Sequence, residues 1–399
     1  MAPFHSHGIF FLFSLVGAAL AAAASQPPRH APLGAQPSST LRVYVVAGQS
    51  NAEGHAEVAT KNKTSPSGAY FNGTLAYQLT DPRTAAAFAP LWDAGTSSWT
   101  VLSDVYCWYN ENGTQTGING STIPSTPGEA SFGRLTVGFG ALGDPNLIGP
   151  ELGLGFGLRD ALPGEKILIM KTAWGGKTLA GDFRPPSSVA TPDPFCQGAC
   201  QNVVGHYYEV LVADVHKMLA PGAVAAMFPE LAGLTPALAG FAWFQGWNDG
   251  CDLNQTAAYE ANLVHLIRDL RAEFGDPALP VSVAVAGFNG FNGAEATRTP
   301  KSATPWIDMA PADKIHTTCS VDNGCRRLDI ALSQLAATNA TRHPELGGHA
   351  VTSETRGFWR APEFSPDPRE GYHYWHNAET AYLVGRALAD GFVAAAGGG

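Results

Sequence analysis

The chain has 399 residues, of which 45% are hydrophobic and only 15% charged, with a formal net charge of −10. That is enough apolar material for a sizeable core, in one large domain or two modest ones. No basic stripe interrupts the acidic balance, which argues against a nucleic-acid partner, and the acidity mainly favours solubility.

The first elements read as processing signals. Residues Ile9 to Ala24 are apolar and lead to the small residues Ala21-Ala22-Ala23-Ala24-Ser25. Residues 1–24 are therefore expected to be a secretory signal, although His5 and His7 replace the usual Lys or Arg ahead of it. The run is short for a membrane anchor, and no later segment is apolar enough to span a bilayer, so no membrane partner is expected after cleavage. Residues 25–40, rich in Pro, Ser and Ala, read as a linker. Sequons at Asn62, Asn72, Asn112, Asn119, Asn254 and Asn339 fit a secreted or lumenal glycoprotein. Six cysteines fit an oxidising compartment. Their spacing suggests local loops Cys196–Cys200 and Cys319–Cys325, with Cys107 and Cys251 left as a long-range pair. A zinc site is the rival reading, but no Cys and His tetrad has fingerlike spacing.

From residue 41 onward strand and helix patterns alternate. A nearly continuous apolar run, Leu41–Ala47, ends in Gly48-Gln49-Ser50-Asn51. Residues from about 56 to 148, rich in Gly, Ser, Thr, Asn and aromatics, read as a long loop-rich insertion over the strand ends. A helix is expected at Glu151–Ala161 and a strand at Lys166–Lys171, followed by Ala173-Trp174-Gly175-Gly176. Next come a helix at His206–Leu219 and a strand at Gly240–Gln245 leading into Gly246-Trp247-Asn248-Asp249. A helix at Thr256–Phe274 carries Leu263, Leu266, Ile267 and Leu270 on one stripe. A strand at Leu279–Gly287 and helices at Arg326–Thr338 and Asn377–Ala395 complete the pattern. Strands apolar throughout are buried on both faces. The expected fold is α/β, a three-layer αβα sandwich with a central, mostly parallel sheet, in one domain over 41–396.

Chemistry concentrates where these strands end, the place where open α/β sheets bind ligands. Ser50 follows the first strand. Gly175 and Gly176 follow the second and let backbone N–H groups approach a ligand closely. Gln245 and Asn248 follow the third and offer amide donors to an oxyanion. Near the C-terminus, Glu370-Gly371-Tyr372-His373 supplies an imidazole with a carboxylate three residues before it, able to fix its tautomer. His376 competes with His373 for the role of base. Each block alone also has an ordinary reading as a helix cap or a tight turn. Trp92, Trp99, Tyr106, Trp108, Trp174 and Trp247 lie near these blocks or in the insertion and could offer a ligand an aromatic face, though core packing explains aromatics equally well.

Taken together the four blocks resemble the SGNH-type hydrolases. They are most similar to the carbohydrate-esterase branch of sialate O-acetylesterases and plant-type acetyl esterases, in which Gly-Gln-Ser-Asn replaces Gly-Asp-Ser. The resemblance runs through residues 48–51, 173–176, 243–249 and 370–373. It implies Ser50 as nucleophile, His373 as general base and Glu370 as the acid that orients it. It also implies an oxyanion hole from the N–H groups of Ser50 and Gly176 with an amide from Gln245 or Asn248. Gln49, Asn51, Trp174 and Trp247 would line the substrate site. The substrate would be an acetylated carbohydrate, with no metal or organic cofactor. Trp247 stands where the branch often has Glu, and Glu370 where it usually has Asp. A non-catalytic carbohydrate-binding protein on the same fold, or an esterase of broader acyl specificity, are the alternatives; a lipase-like elbow Gly-x-Ser-x-Gly is missing at Ser50.

Overall fold

β-Branched and aromatic residues dominate the run Thr40–Gly48, which forms strand β1 at the centre of the sheet; Leu41, Val43, Val45 and Val46 are fully buried. The computed structural model describes residues 39–60, 72–110, 131–188, 205–292, 327–367 and 370–397. Seven strands make the sheet: β1, β2 (Val105–Tyr109), β3 (Ser131–Arg134), β4 (Lys166–Ala173), β5 (Thr235–Phe244), β6 (Val281–Ala284) and β7 (Ala350–Ser353). Their order is β7-β6-β5-β1-β4-β2-β3. All neighbours are parallel except β3, which runs antiparallel to β2 at one edge. The alternation read from the sequence therefore yields the expected mostly parallel sheet.

Helices cover both faces. On one, α6 (Ala378–Ala396) lies along α2 (Pro150–Ala161) and sends Phe392 against Tyr44 of β1. The two helices meet almost backbone to backbone. A Cβ on Gly153 would lie 1.9 Å from the Tyr382 carbonyl oxygen, so only glycine fits there. On the other face, α4 (Leu253–Glu273) carries Tyr259, whose hydroxyl accepts from Trp243 Nε1 of β5 at 3.1 Å. There α3 (His206–Leu219) brings Tyr207 against Trp174, and α5 (Arg327–Ala337) rests on α4. Helix starts follow their capping chemistry: Asp252 accepts from the N–H groups of Asn254 and Gln255, and Asn377 from that of Thr380.

The structure refines several expectations. The region 56–148 is not only loop: β2 and β3 come from it, so this stretch builds one side of the sheet. Strand β5 begins earlier than its apolar run, at Thr235, because its first half is only half-buried. Strand β6 is shorter than the apolar run 279–287. Strand β7 is four residues after a Gly-Gly turn, too short to show a pattern. Cys107 is a free, buried thiol on β2, whereas Cys251 is disulfide-bonded, so the two are not paired with each other. The other four cysteines, the segment read as a signal, most of the linker and the sequons at Asn62, Asn112 and Asn119 lie outside the described residues. Among the described residues no helix is long and apolar enough to cross a membrane.

Candidate active site

Strand β1 sits between β4 and β5, strands adjacent in sequence but on opposite sides of it. This is a topological switch point, and a crevice opens beyond the carboxyl ends of the strands there. Gly48 makes the exit possible. It has φ +149, and a Cβ would lie 2.1 Å from the carbonyl oxygen of Phe244 on β5. The chain then turns through Gln49 into α1 (Ser50–Glu53), a single helical turn. Ser50 is its first residue, so its N–H belongs to the group that helical bonding leaves without a partner.

The second block lies alongside. A Cβ on Gly175 would be 3.9 Å from Ser50 Cβ, and Gly176 has φ +73, a left-handed conformation that glycine adopts freely. From the third block, Asn248 Nδ2 donates to the Gly176 carbonyl at 2.9 Å, and its Oδ1 accepts from Gln49 Nε2 at 2.9 Å. Gln49 Oε1 accepts from Gln245 Nε2 at 3.2 Å and from the N–H groups of Gly246 and Asn248 at 3.3 Å each. Gln245 Nε2 is shared with the Lys177 carbonyl and Asp249 Oδ2. Asp249, fully buried, also accepts from the N–H groups of Leu179 and Ala180 at 2.9 Å. Burial pushes its carboxyl up to about 7 against these hydrogen bonds. The three strand-end loops are thus one amide-and-carboxylate clamp.

The C-terminal strap completes the site. Asn51 Nδ2 donates to the Tyr372 carbonyl at 2.9 Å, across 321 positions of sequence. The residues that follow Ser50 and precede His373 are therefore in contact. Among the described residues no hydrogen bond joins the Ser50 hydroxyl to the His373 ring. His373 Nδ1 is 2.8 Å from Glu370 Oε2; an ionised carboxylate only accepts, so Nδ1 carries the proton and Nε2 is left as the basic nitrogen. Burial pushes His373 down to about 3, opposed by Glu370, with His55 adding to the lowering. His55 stacks on the His373 ring, centroids 3.8 Å apart and planes 9° apart, with its Nε2 3.6 Å from Glu53 Oε2.

Glu370 serves two imidazoles. His376 Nε2 is 2.7 Å from the same Oε2, and His376 Nδ1 is 3.3 Å from Oε1 of buried Glu57. Burial would raise the Glu370 carboxyl, but bonds from His373 and His376 hold it well below the usual range. Burial alone would lower His376; its two carboxylates instead raise it to about 9. Tyr374, Trp375 and His376 all have positive φ, at 51°, 58° and 60°. Such non-glycine conformations cost on the order of 1–3 kcal/mol each and persist only when the surroundings over-determine them. Here Trp375 N–H bonds the Glu370 carbonyl, Asp367 N–H bonds the Trp375 carbonyl, and the Tyr374 hydroxyl accepts from Gly287 N–H.

Sequence reasoning placed Ser50, His373, Glu370, Gly176, Gln245 and Asn248 at one site, and the structure brings these segments together. The aromatic assignments need correction. Trp174 is fully buried under the Gly175–Gly176 turn against Tyr207 and Phe183, and offers no face to a ligand. Trp247 is 5% exposed, packed on Phe288 with the Arg327 guanidinium 3.9 Å over its ring. Gln49 is spent within the clamp, and Asn51 tethers the strap. Tyr106 and Trp108 are core residues of β2. Sequence reading missed His55 and Glu57, which carry no motif and stand just after α1. The nitrogens of His55, His373 and His376 lie within 4.8 Å of one another. Both nitrogens of His376 are committed to carboxylates and His55 stacks on His373, so the trio reads as imidazoles held by carboxylates and ring stacking rather than a metal centre.

A hydroxyl, a carboxylate-oriented imidazole and backbone N–H groups thus lie on adjoining segments at the switch point of an α/β sheet. Residues 141–319 match the model of a family described as carbohydrate esterase, sialic acid-specific acetylesterase. The chain is similar to that family, whose reaction is hydrolysis of carboxylic esters, over the segment that holds the second and third motif blocks. Ser50 and His373 lie outside the match. No curated protein matches the sequence. Similar solved structures include a protein from Arabidopsis thaliana, 12% identical over 89% of this chain and 98% of that one, with TM-score 0.45. A carbohydrate acetylesterase from Xanthomonas citri is 13% identical over 88% of this chain and 57% of that one, TM-score 0.39. NanS is 14% identical over 69% of this chain and 77% of its own, TM-score 0.35.

Proposed function

We propose that this protein is a secreted serine esterase that removes O-acetyl groups from carbohydrates through an acyl-enzyme. The contact between Asn51 and the Tyr372 carbonyl carries this reading, because it sets the candidate nucleophile and base on touching segments from opposite ends of the chain. Ser50 Oγ attacks the acetyl carbonyl while His373 Nε2 takes its proton. Glu370 holds Nδ1–H and stabilises the imidazolium as it forms. The oxyanion meets the N–H groups of Ser50 and Gly176 and the side-chain amide of Asn248. Asn248 is favoured over Gln245 by its position: Gln245 Nε2 is buried and shared among three acceptors, while Asn248 is part-exposed and spends one Nδ2 hydrogen on Gly176. The sugar alcohol leaves with the proton from His373, and water then releases acetate by the same base. The N-terminal apolar run and the sequons support secretion.

Acetate release from a panel of acetylated glycans, with wild type and Ser50→Ala, tests this reading. Ser50→Ala is expected to lose about 10⁴-fold or more of kcat. Full activity in that variant would overturn the assignment.

A further inference from the structure

One imidazole in the site has no part in ester hydrolysis as described above, yet it is the most tightly held. His376 touches two carboxylates, one per ring nitrogen: Glu370 Oε2 at 2.7 Å and Glu57 Oε1 at 3.3 Å. Ionised carboxylates only accept, so both nitrogens must donate, and a ring that donates from both nitrogens is a cation. Three consecutive left-handed residues, Tyr374, Trp375 and His376, bend the strap to bring it there. Strain of this kind tends to collect at functional sites.

We propose that His376 is a positioning residue: a permanent imidazolium, clamped between Glu57 and Glu370, that fixes the Glu370 carboxylate for His373 and weakens its pull on a proton at the base. The inference rests on the catalytic roles proposed above for Ser50, His373 and Glu370. A single oxygen, Glu370 Oε2, accepts from both rings. The cation takes part of the charge that His373 would otherwise enjoy alone. It also stands close to any second positive charge, with centroids of the two rings 5.8 Å apart. Both effects disfavour imidazolium at His373 and add to the lowering that burial imposes on it. The other titratable groups around His376 are His55, 6.1 Å away between centroids and stacked on His373, Glu53 behind His55, and buried Asp367 on the same strap. None of these bonds His376 among the described contacts, so the pair of glutamates sets its charge.

The test is the pH profile of kcat/KM on 4-nitrophenyl acetate for wild type, His376→Gln and Ser50→Ala. Glutamine keeps a donor toward Glu370 but no charge. The acid limb of His376→Gln is expected about one pH unit higher than wild type, which is about a tenfold loss well below the midpoint with little change on the plateau. A uniform fall in kcat with an unmoved limb would mean a purely structural role and overturn the proposal. An active Ser50→Ala would instead sink the catalytic reading on which it rests, so the two failures are distinct. Should His376→Gln fail to fold, nitrogen NMR of the wild-type histidines decides. His376 protonated on both nitrogens from pH 5 to 8, with His373 protonated on Nδ1 alone, supports the proposal. Loss of a proton from His376 near pH 6.5 overturns it.

Discussion

The strand-end loops and the C-terminal strap hold their halves of the site in different ways. Around Ser50 the frame is built mainly from neutral amides. Gln49, Gln245 and Asn248 exchange amide hydrogen bonds, and buried Asp249 ties in the N–H groups of Leu179 and Ala180. Around His373 the frame is charged and strained: two glutamates and two further histidines surround the base, on backbone with three left-handed residues in a row. The difference follows the work each half would do. An oxyanion site needs donors fixed in place before charge arrives. A base needs its proton affinity set by neighbouring charges.

If the halves are as distinct as they look, substitutions should separate them. After the loss of Ser50 itself, the largest effect falls on a donor at the edge of the neutral frame. Asn248→Ala should lower kcat by about 100- to 1000-fold with a modest change in KM, the typical cost of one oxyanion donor. Steady-state kinetics on an acetyl ester check this, and a wild-type kcat would return the role to Gln245. One step deeper, Gln245→Ala should act mainly on folding, costing about 1–3 kcal/mol by leaving Gln49 and Asp249 with unmet partners. Denaturant unfolding measures it, and a loss in kcat without a loss in stability would erase the contrast.

A pH-dependent effect sharpens the charged half. The folded pKa of His376 is raised from 6.5 to about 9. A raised folded value means the folded state binds the proton more tightly, so this contribution is fully present below pH 6.5 and disappears as pH rises through about 9. The stability gap between wild type and His376→Gln should therefore be about 3 kcal/mol greater at pH 6 than at pH 10. Thermal melts across that range check the sign; a gap that grows with pH would contradict the clamp.

Much of this architecture was legible in the residues. Buried parallel strands leave continuous apolar runs, so β1, β4 and β5 could be placed, and Ser50, Gly176 and Asn248 stood out where those runs stopped. Glu370 and His373 sit three apart, a spacing that local sequence displays. The remainder depends on contacts that no local pattern records. Val105–Tyr109 is apolar and aromatic inside a polar region, and only its pairing with β4 makes it a sheet strand. A tryptophan at a strand end suits core and cleft equally, and Trp174 and Trp247 fell to the core. His55 and Glu57 acquire meaning only when a segment more than three hundred positions later folds over them.

That long closure bears on how the protein is made. The hydroxyl of Ser50 leaves the ribosome more than three hundred residues before the imidazole of His373, so under the proposed chemistry a nascent chain carries a nucleophile without a base throughout that interval. Products terminated before His373 would stay inert, and the appearance of activity would report that the strap carrying this imidazole had been made.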